Sequence, residues 1–143
     1  MRFFFYGTLM EQAATPIAML LHARLLPGVR ATVKGTLHAI PDPEGWYPAL
    51  TPGEGAVRGM VHETAEDFSP EDLARLDAYE DFSPADPSAS LYVRRPIAAS
   101  IGVVEAYQFN RRLPAGALAI AGGDFHAWLA ERGFGAFGGS LAE

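Results

Sequence analysis

Cysteine is absent from the 143 residues, which excludes disulfides, thiolate nucleophiles and thiolate metal sites. Also missing is any apolar run approaching the roughly 20 residues that span a bilayer. The start lacks the apolar h-region and small-residue cleavage site of a signal peptide. Basic blocks are absent too: the eleven Lys and Arg are scattered, with doublets only at Arg94-Arg95 and Arg111-Arg112, and the net charge is −6. This balance argues against nucleic acid or an anionic membrane as the main partner. No internal repeat or linker-like stretch divides the chain. Residues 1–143 read as one domain, expected to be soluble and cytoplasmic.

What is there is apolar surface, about half of the chain, enough for a real core. It begins with Phe3-Phe4-Phe5-Tyr6, which puts aromatic surface on both faces of an extended segment. Arg2–Tyr6 is therefore expected to be a strand buried on both sides. The run stops at Gly7-Thr8, where the chain turns freely. Such a loop beside a following helix points backbone N–H groups at one place and suits an anion or oxyanion. A first core strand followed by a plain turn would read the same way.

Thr15-Pro16 is a helix start, with Ile17, Leu20, Leu21 and Arg24 at helical spacing and Pro27-Gly28 as the stop. Val29–Ile40 alternates strictly, with Val29, Ala31, Val33, Gly35, Leu37 and Ala39 on one face. Pro41–Gly45 is a turn by composition, and the proline of Trp46–Leu50 assigns that piece to a sheet edge or a loop. Thr51–Gly55 turns again. Further strands are expected at Ala56–Glu63, Leu91–Ile101 and Val103–Asn110. Asp124 caps a last helix carrying Phe125, Trp128 and Leu129, closed by Gly133. Many short strands with few helices predict an α+β fold, a small curved sheet or barrel with helices packed outside.

The most informative carboxylate lies in Ser69–Glu80. Ser69 is a preferred N-cap, Pro70 suits the first turn, and Glu71 and Asp72 complement the helix dipole. At about 100° per residue, Glu80 falls between Leu73 and Leu76 in angle and points toward the core. A carboxylate buried there must be paired or protonated, and desolvation makes it a better proton acceptor. A helix ending at Ala78 would instead leave Glu80 in a solvated loop beside Asp81.

Other candidates carry less. His22, His38, His62 and His126 have no metal-ligand spacing and are expected to be solvated, so no metal site is expected. Thr8 has no neighbouring base that would make it a nucleophile. Gly122-Gly123 and Gly138-Gly139 lack the strand-to-helix setting of a nucleotide loop. Arg94 shares a face with Tyr92 and could bind a carboxylate, but reads better as an exposed surface arginine.

Five stretches in order resemble the gamma-glutamylcyclotransferase-like family. They are Tyr6-Gly7-Thr8-Leu9 after a hydrophobic strand, Tyr47-Pro48-Ala49-Leu50, Val57-Arg58-Gly59, Leu76-Asp77-Ala78-Tyr79-Glu80, and Tyr92-Val93-Arg94-Arg95. The resemblance implies a small mixed β-barrel with peripheral helices and a cavity at one end. It further implies that Tyr6, Gly7, Thr8 and Leu9 bind the glutamyl part of a small-molecule γ-glutamyl substrate, and that Glu80 is the general acid/base. The implied reaction forms 5-oxoproline and needs no cofactor. A non-catalytic small-molecule-binding barrel of the same fold is the alternative. The chain departs from the family in three places. Asp81 stands where the family usually has Gly, Asp81 to Ser90 is longer and richer in proline, and the stretch from Arg111 on has no counterpart.

Overall fold

A computed structural model describes residues 1–7 and 16–136 of the chain. In chain order the elements are β1 (Arg2–Phe5), α1 (Pro16–His22), β2 (Val29–Asp42), β3 (Gly45–Glu63), α2 (Pro70–Tyr79), β4 (Tyr92–Ala99), β5 (Gly102–Phe109), β6 (Leu118–Ala119) and α3 (Phe125–Arg132). A short 3-10 turn, Pro87–Ala89, lies between α2 and β4. Among the described residues, no helix is long and apolar enough to cross a membrane.

Five strands close into a mixed barrel. The order runs β3-β1-β5-β4-β2, and β2 pairs back onto β3. Only β1 and β5 run parallel, Phe3 opposite Glu105 and Phe4 opposite Ala106; the other pairings are antiparallel. The β2–β4 seam is the narrow one, Val33 opposite Ala99, and it is reinforced where Ser100 N–H donates to the Thr32 carbonyl at 2.9 Å. β6 adds outside the ring, on His38 and Ala39 of β2.

Alternation along β1 assigns its side chains to two cores. Phe4 and Tyr6 enter the barrel interior with Val33, Leu37, Val57 and Val104, and α3 plugs that space with Phe125, Trp128 and Leu129. Phe3 and Phe5 point outward, under Ala18 and Leu21 of α1 and Leu76 and Tyr79 of α2. All four aromatics are essentially inaccessible. Full burial of a side chain of this size contributes about 1.5–3 kcal/mol, so β1 ties the helices to the barrel.

The stretch Trp46–Gly55 differs from expectation in its second half. Of the two readings for Trp46–Leu50, sheet edge or loop, the first holds: it is the first half of β3, paired with β2 from Asp42–Gly45 to Thr36–Thr51 and, among the described residues, with no second strand on its other side. Pro48 is tolerated because β1 pairs only with the other half of β3, Met60–Glu63, so no second neighbour needs the missing N–H. The expected turn at Thr51–Gly55 is a break in the ladder. Lys34 pairs with Ala56 and Thr36 with Thr51, so residues 52–55 stand opposite Gly35 alone.

Gly59 marks the closest approach of β1 to β3. A Cβ there would lie 2.3 Å from the Phe5 carbonyl oxygen and 2.7 Å from the Phe4 ring. Backbone cannot yield as a side-chain tip does. Gly59→Ala is expected to lower unfolding stability by about 1–3 kcal/mol. The measurement is a shift of the urea midpoint at unchanged m-value; an unshifted midpoint would mean that β1 relaxes freely.

Candidate active site

The site is built from the end of α2. Ser69 and Asp72 form a capping box, with Ser69 N–H donating to Asp72 at 2.9 Å and Asp72 N–H to the Ser69 hydroxyl at 3.2 Å. At the other end the helix does not fray at Ala78. Glu80 is the C-cap, its N–H still donating to the Leu76 carbonyl at 3.1 Å, and its side chain is 0% exposed. The helical phase of Glu80 therefore holds to the last residue, and the carboxylate lies inside the protein.

Asp81 follows in the left-handed region, φ 55°. Its N–H donates to Ala78 O at 3.1 Å and the Phe82 N–H to Asp77 O at 2.9 Å, the paired bonds of a Schellman motif. Glycine suits that position because it has no Cβ, and Asp is among the few residues that adopt αL at small cost. The Asp81 side chain is exposed. Its departure from the family pattern thus has a backbone account.

Asp77 and Glu80 are three residues apart on one face of α2. Asp77 is 3% exposed and accepts from Arg94 Nε at 2.9 Å, from Arg94 again at 3.3 Å, and from the Tyr107 hydroxyl at 2.6 Å. Arg94 turns its remaining nitrogen to Glu105 at 2.8 Å. Arg94 is therefore not the exposed surface arginine expected from the sequence; its side chain is 17% exposed and bound on two sides. Its pKa is raised: burial works against it, and the hydrogen bond and charge of Asp77 outweigh burial. Tyr107 is raised far above the usual phenol range, first by burial, then by the charge and hydrogen bond of Asp77, then by the charge of Glu80. Glu80 and the Tyr107 phenol are thus electrostatic neighbours.

The N-terminal loop reaches the same tyrosine from the other side. The Tyr6 hydroxyl donates to the Tyr107 carbonyl. Gly7 is buried, and its carbonyl accepts from His126 Nε2 of α3 at 2.9 Å, which fixes the proton on that nitrogen. Thr8 and Leu9, the other two loop residues named from the sequence, lie outside the described residues, as do Gly138-Gly139. Tyr92 donates to the Pro48 carbonyl at 2.6 Å, so the Tyr47–Leu50 and Tyr92–Arg95 stretches are also stitched together. A cleft of about 720 Å³ is lined by Leu73, Asp77, Phe82, Ser90 and Arg94 among others. It touches Asp77 but is lined by neither Glu80 nor Tyr6.

The expectation of solvated histidines fails at His62. It is 7% exposed, with Nδ1–H donating to the Leu26 carbonyl at 2.8 Å and the His22 ring edge-on at 5.2 Å. The polar phase of β3 there is covered by α1, which alternation alone does not show. Sequence reasoning also missed Asp77 and Tyr107 as site residues. Asp77 carried a signal, its i−3 spacing from Glu80; Tyr107 carried none beyond being an aromatic in a strand.

The model of a family described as gamma-glutamyl cyclotransferase, AIG2-like, matches residues 3–127. Among solved structures the chain is similar to an uncharacterised protein of Pyrococcus horikoshii, at 17% identity and TM-score 0.60, covering 92% of this chain and 95% of that one. It is similar to the YtfP protein of Escherichia coli at 25% identity and TM-score 0.54, covering 87% and 96%. A segment of Kluyveromyces lactis allophanate hydrolase shares the fold at 13% identity and TM-score 0.63, covering 92% of this chain and 21% of that one. No curated protein matches the chain.

The αL account of Asp81 is testable by thermal unfolding. Asp81→Val places a β-branched residue at positive φ and is expected to cost about 1–2 kcal/mol. Asp81→Gly is expected to leave the melting temperature equal or higher. A valine variant as stable as the parent would remove the strain argument.

Proposed function

We propose a cyclotransferase reaction for this chain, which belongs to the gamma-glutamyl cyclotransferase, AIG2-like family: intramolecular aminolysis of a γ-glutamyl amine or amino acid, giving 5-oxoproline. The observation that carries the reading is the Glu80 carboxylate, enclosed at the end of α2 beside the tyrosine whose carbonyl Tyr6 engages. Two sequence stretches about 70 residues apart, Tyr6-Gly7 and Asp77–Glu80, are thereby joined through Tyr107, which Tyr6 and Asp77 both engage.

The chemistry asks for one proton carrier. The substrate's α-amine is mostly protonated near neutral pH, at a pKa of about 7.7–8.0, and is not nucleophilic in that form. Glu80 takes one proton from the ammonium. The freed amine attacks the γ-carbonyl, forming the C–N bond of the ring and a tetrahedral oxyanion. Backbone N–H groups of the loop from Gly7 to Leu9, which the family motif assigns to the glutamyl part, would also stabilise that oxyanion. Collapse breaks the original amide C–N bond as Glu80 returns its proton to the leaving nitrogen, and the ring nitrogen gives up its second proton, so that the lactam keeps one N–H and the released amine departs as its ammonium. No water or second substrate enters the balance. Holding the substrate folded supplies orientation, the larger share of the advantage in ring closure.

Glu80→Gln keeps the size and hydrogen-bonding outline of the side chain and removes the basic oxygen. It is expected to lower turnover of γ-glutamyl substrates to 5-oxoproline by roughly 10²–10⁴-fold while substrate binding persists. Asp81→Asn, exposed and outside the network, is expected to cost far less. Chromatographic detection of 5-oxoproline across a panel of γ-glutamyl amines and amino acids reads both. An active Glu80→Gln protein, or equal losses from the two variants, would assign the base elsewhere; a parent that binds but never turns over would favour a non-catalytic binding barrel.

A further inference from the structure

The Tyr6–Leu9 loop begins between two hydrogen bonds. On one side the Tyr6 hydroxyl donates to the Tyr107 carbonyl of β5. On the other, His126 Nε2–H of α3 donates to the Gly7 carbonyl at 2.9 Å, between residues 119 apart in sequence. His126 is itself held in place. Its helix neighbours Phe125, Trp128 and Leu129 are buried in the barrel interior with Phe4 and Tyr6, and the Phe125 ring stands edge-on to the imidazole at 5.7 Å. Asp124 caps the helix, accepting from the Ala127 N–H at 3.0 Å, and the Gly123 carbonyl before it accepts from the Arg58 N–H of β3 at 2.7 Å. Gly123 is buried at φ 71°, where a Cβ would lie 1.9 Å from the Ala56 carbonyl oxygen, so the start of α3 sits directly on the β3 backbone. The imidazole therefore has a fixed origin, and the Gly7 carbonyl is what it reaches.

We propose that His126 is a positioning residue for this loop: its Nε2–H fixes the Gly7 carbonyl and so sets the orientation in which the loop meets the glutamyl part of the substrate. This rests on the cyclotransferase reading, in which the loop is the binding element. The link is covalent. A peptide is planar and trans, so its carbonyl and its N–H point in opposite directions. Anchoring the Gly7 carbonyl on α3 directs the N–H of the same peptide unit away from α3, and a carbonyl that accepts a hydrogen bond makes that N–H a stronger donor. Glycine has no side chain with which to hold its own backbone, so the orientation must be imposed from outside. An N–H aimed before substrate arrives needs no reorganisation during the reaction. The helix of the stretch after Arg111 thus has two tasks. Its apolar face fills the barrel, and a half-buried residue beside that face steadies the loop.

Two variants separate the hydrogen bond from simple packing. His126→Gln places an amide N–H at about the reach of imidazole Nε2 and keeps a donor, whereas His126→Ala removes it. In uniformly ¹³C,¹⁵N-labelled protein, His126→Ala is expected to move the Gly7 carbonyl ¹³C resonance upfield, and His126→Gln to restore most of the shift. With γ-glutamyl amines as substrates, kcat/KM for 5-oxoproline formation is expected to fall about tenfold in His126→Ala, the effect of one hydrogen bond, and to regain most of that loss in His126→Gln. Assays run well below the unfolding temperature of each variant. An unmoved Gly7 resonance or an unmoved kcat/KM in folded His126→Ala overturns the proposal, and so do equal losses in the two variants. If His126→Ala does not fold, the imidazole ¹⁵N shifts of the parent decide: a neutral ring protonated on Nδ1 overturns the anchoring, and one protonated on Nε2 upholds it. A parent that forms no 5-oxoproline refutes the cyclotransferase reading alone. The Gly7 resonance then decides the anchoring by itself, which keeps the two failures apart.

Discussion

Everything in this fold depends on β1 being buried on both faces. Four residues, Arg2–Phe5, pair antiparallel with β3 on one side and parallel with β5 on the other, which closes the barrel. The same strand sends Phe4 and Tyr6 into the interior core and Phe3 and Phe5 under the helices. Remove that strand and the sheet loses its closure and the outer helices lose their common floor. The close fit at Gly59 follows from the same constraint: a strand packed on both faces and bonded along both edges has no direction in which to move.

The site grows out of this arrangement. Because β5 lies against β1, Tyr107 has its carbonyl beside Tyr6 and its ring turned toward α2. Because α2 covers that face of the sheet, Asp77 meets the Tyr107 hydroxyl from above. The helix ends where it does through backbone geometry, a Schellman motif with Asp81 in the αL position, and this stops the helix with Glu80 inward. A buried carboxylate needs partners, and the Asp77–Arg94–Glu105 arrangement supplies them for Asp77. Losing one partner of such a buried pair costs about 3–5 kcal/mol, so the network is as much a part of the fold as of the site.

Helix ends and strand periods were legible because their signals are local. Ser69-Pro70 and Asp124 did cap helices, Gly133 did close one in the αL conformation, and the alternating residues of Val29–Ile40 did turn one face inward. The strand status of Thr51–Gly55 was not legible. A proline and a Gly-rich run look alike whether the chain loops or bulges, and the partner strand decides between them. Arg94 and His62 went the same way. His62 sits on a phase that alternation marks as polar and Arg94 on a face it shares with Tyr92, and each is covered by a helix that alternation does not show, α1 for the histidine and α2 for the arginine.

By itself, then, the sequence determined that β1 is a two-faced strand, that Glu80 faces inward if the helix runs that far, and that five stretches in order resemble one family. These follow from residue type, spacing and order, which need no partner to be read. Only the tertiary structure decided that the helix reaches Glu80 and what Asp77 beside it meets. Tyr107, Arg94 and Glu105 come from strands 14 to 27 residues further on, and their convergence on Asp77 depends on which strands neighbour β1 in the closed barrel. Hydrogen bonds and charge are decided at distances of a few ångströms, and a linear pattern carries no information at that scale between residues so far apart in the chain.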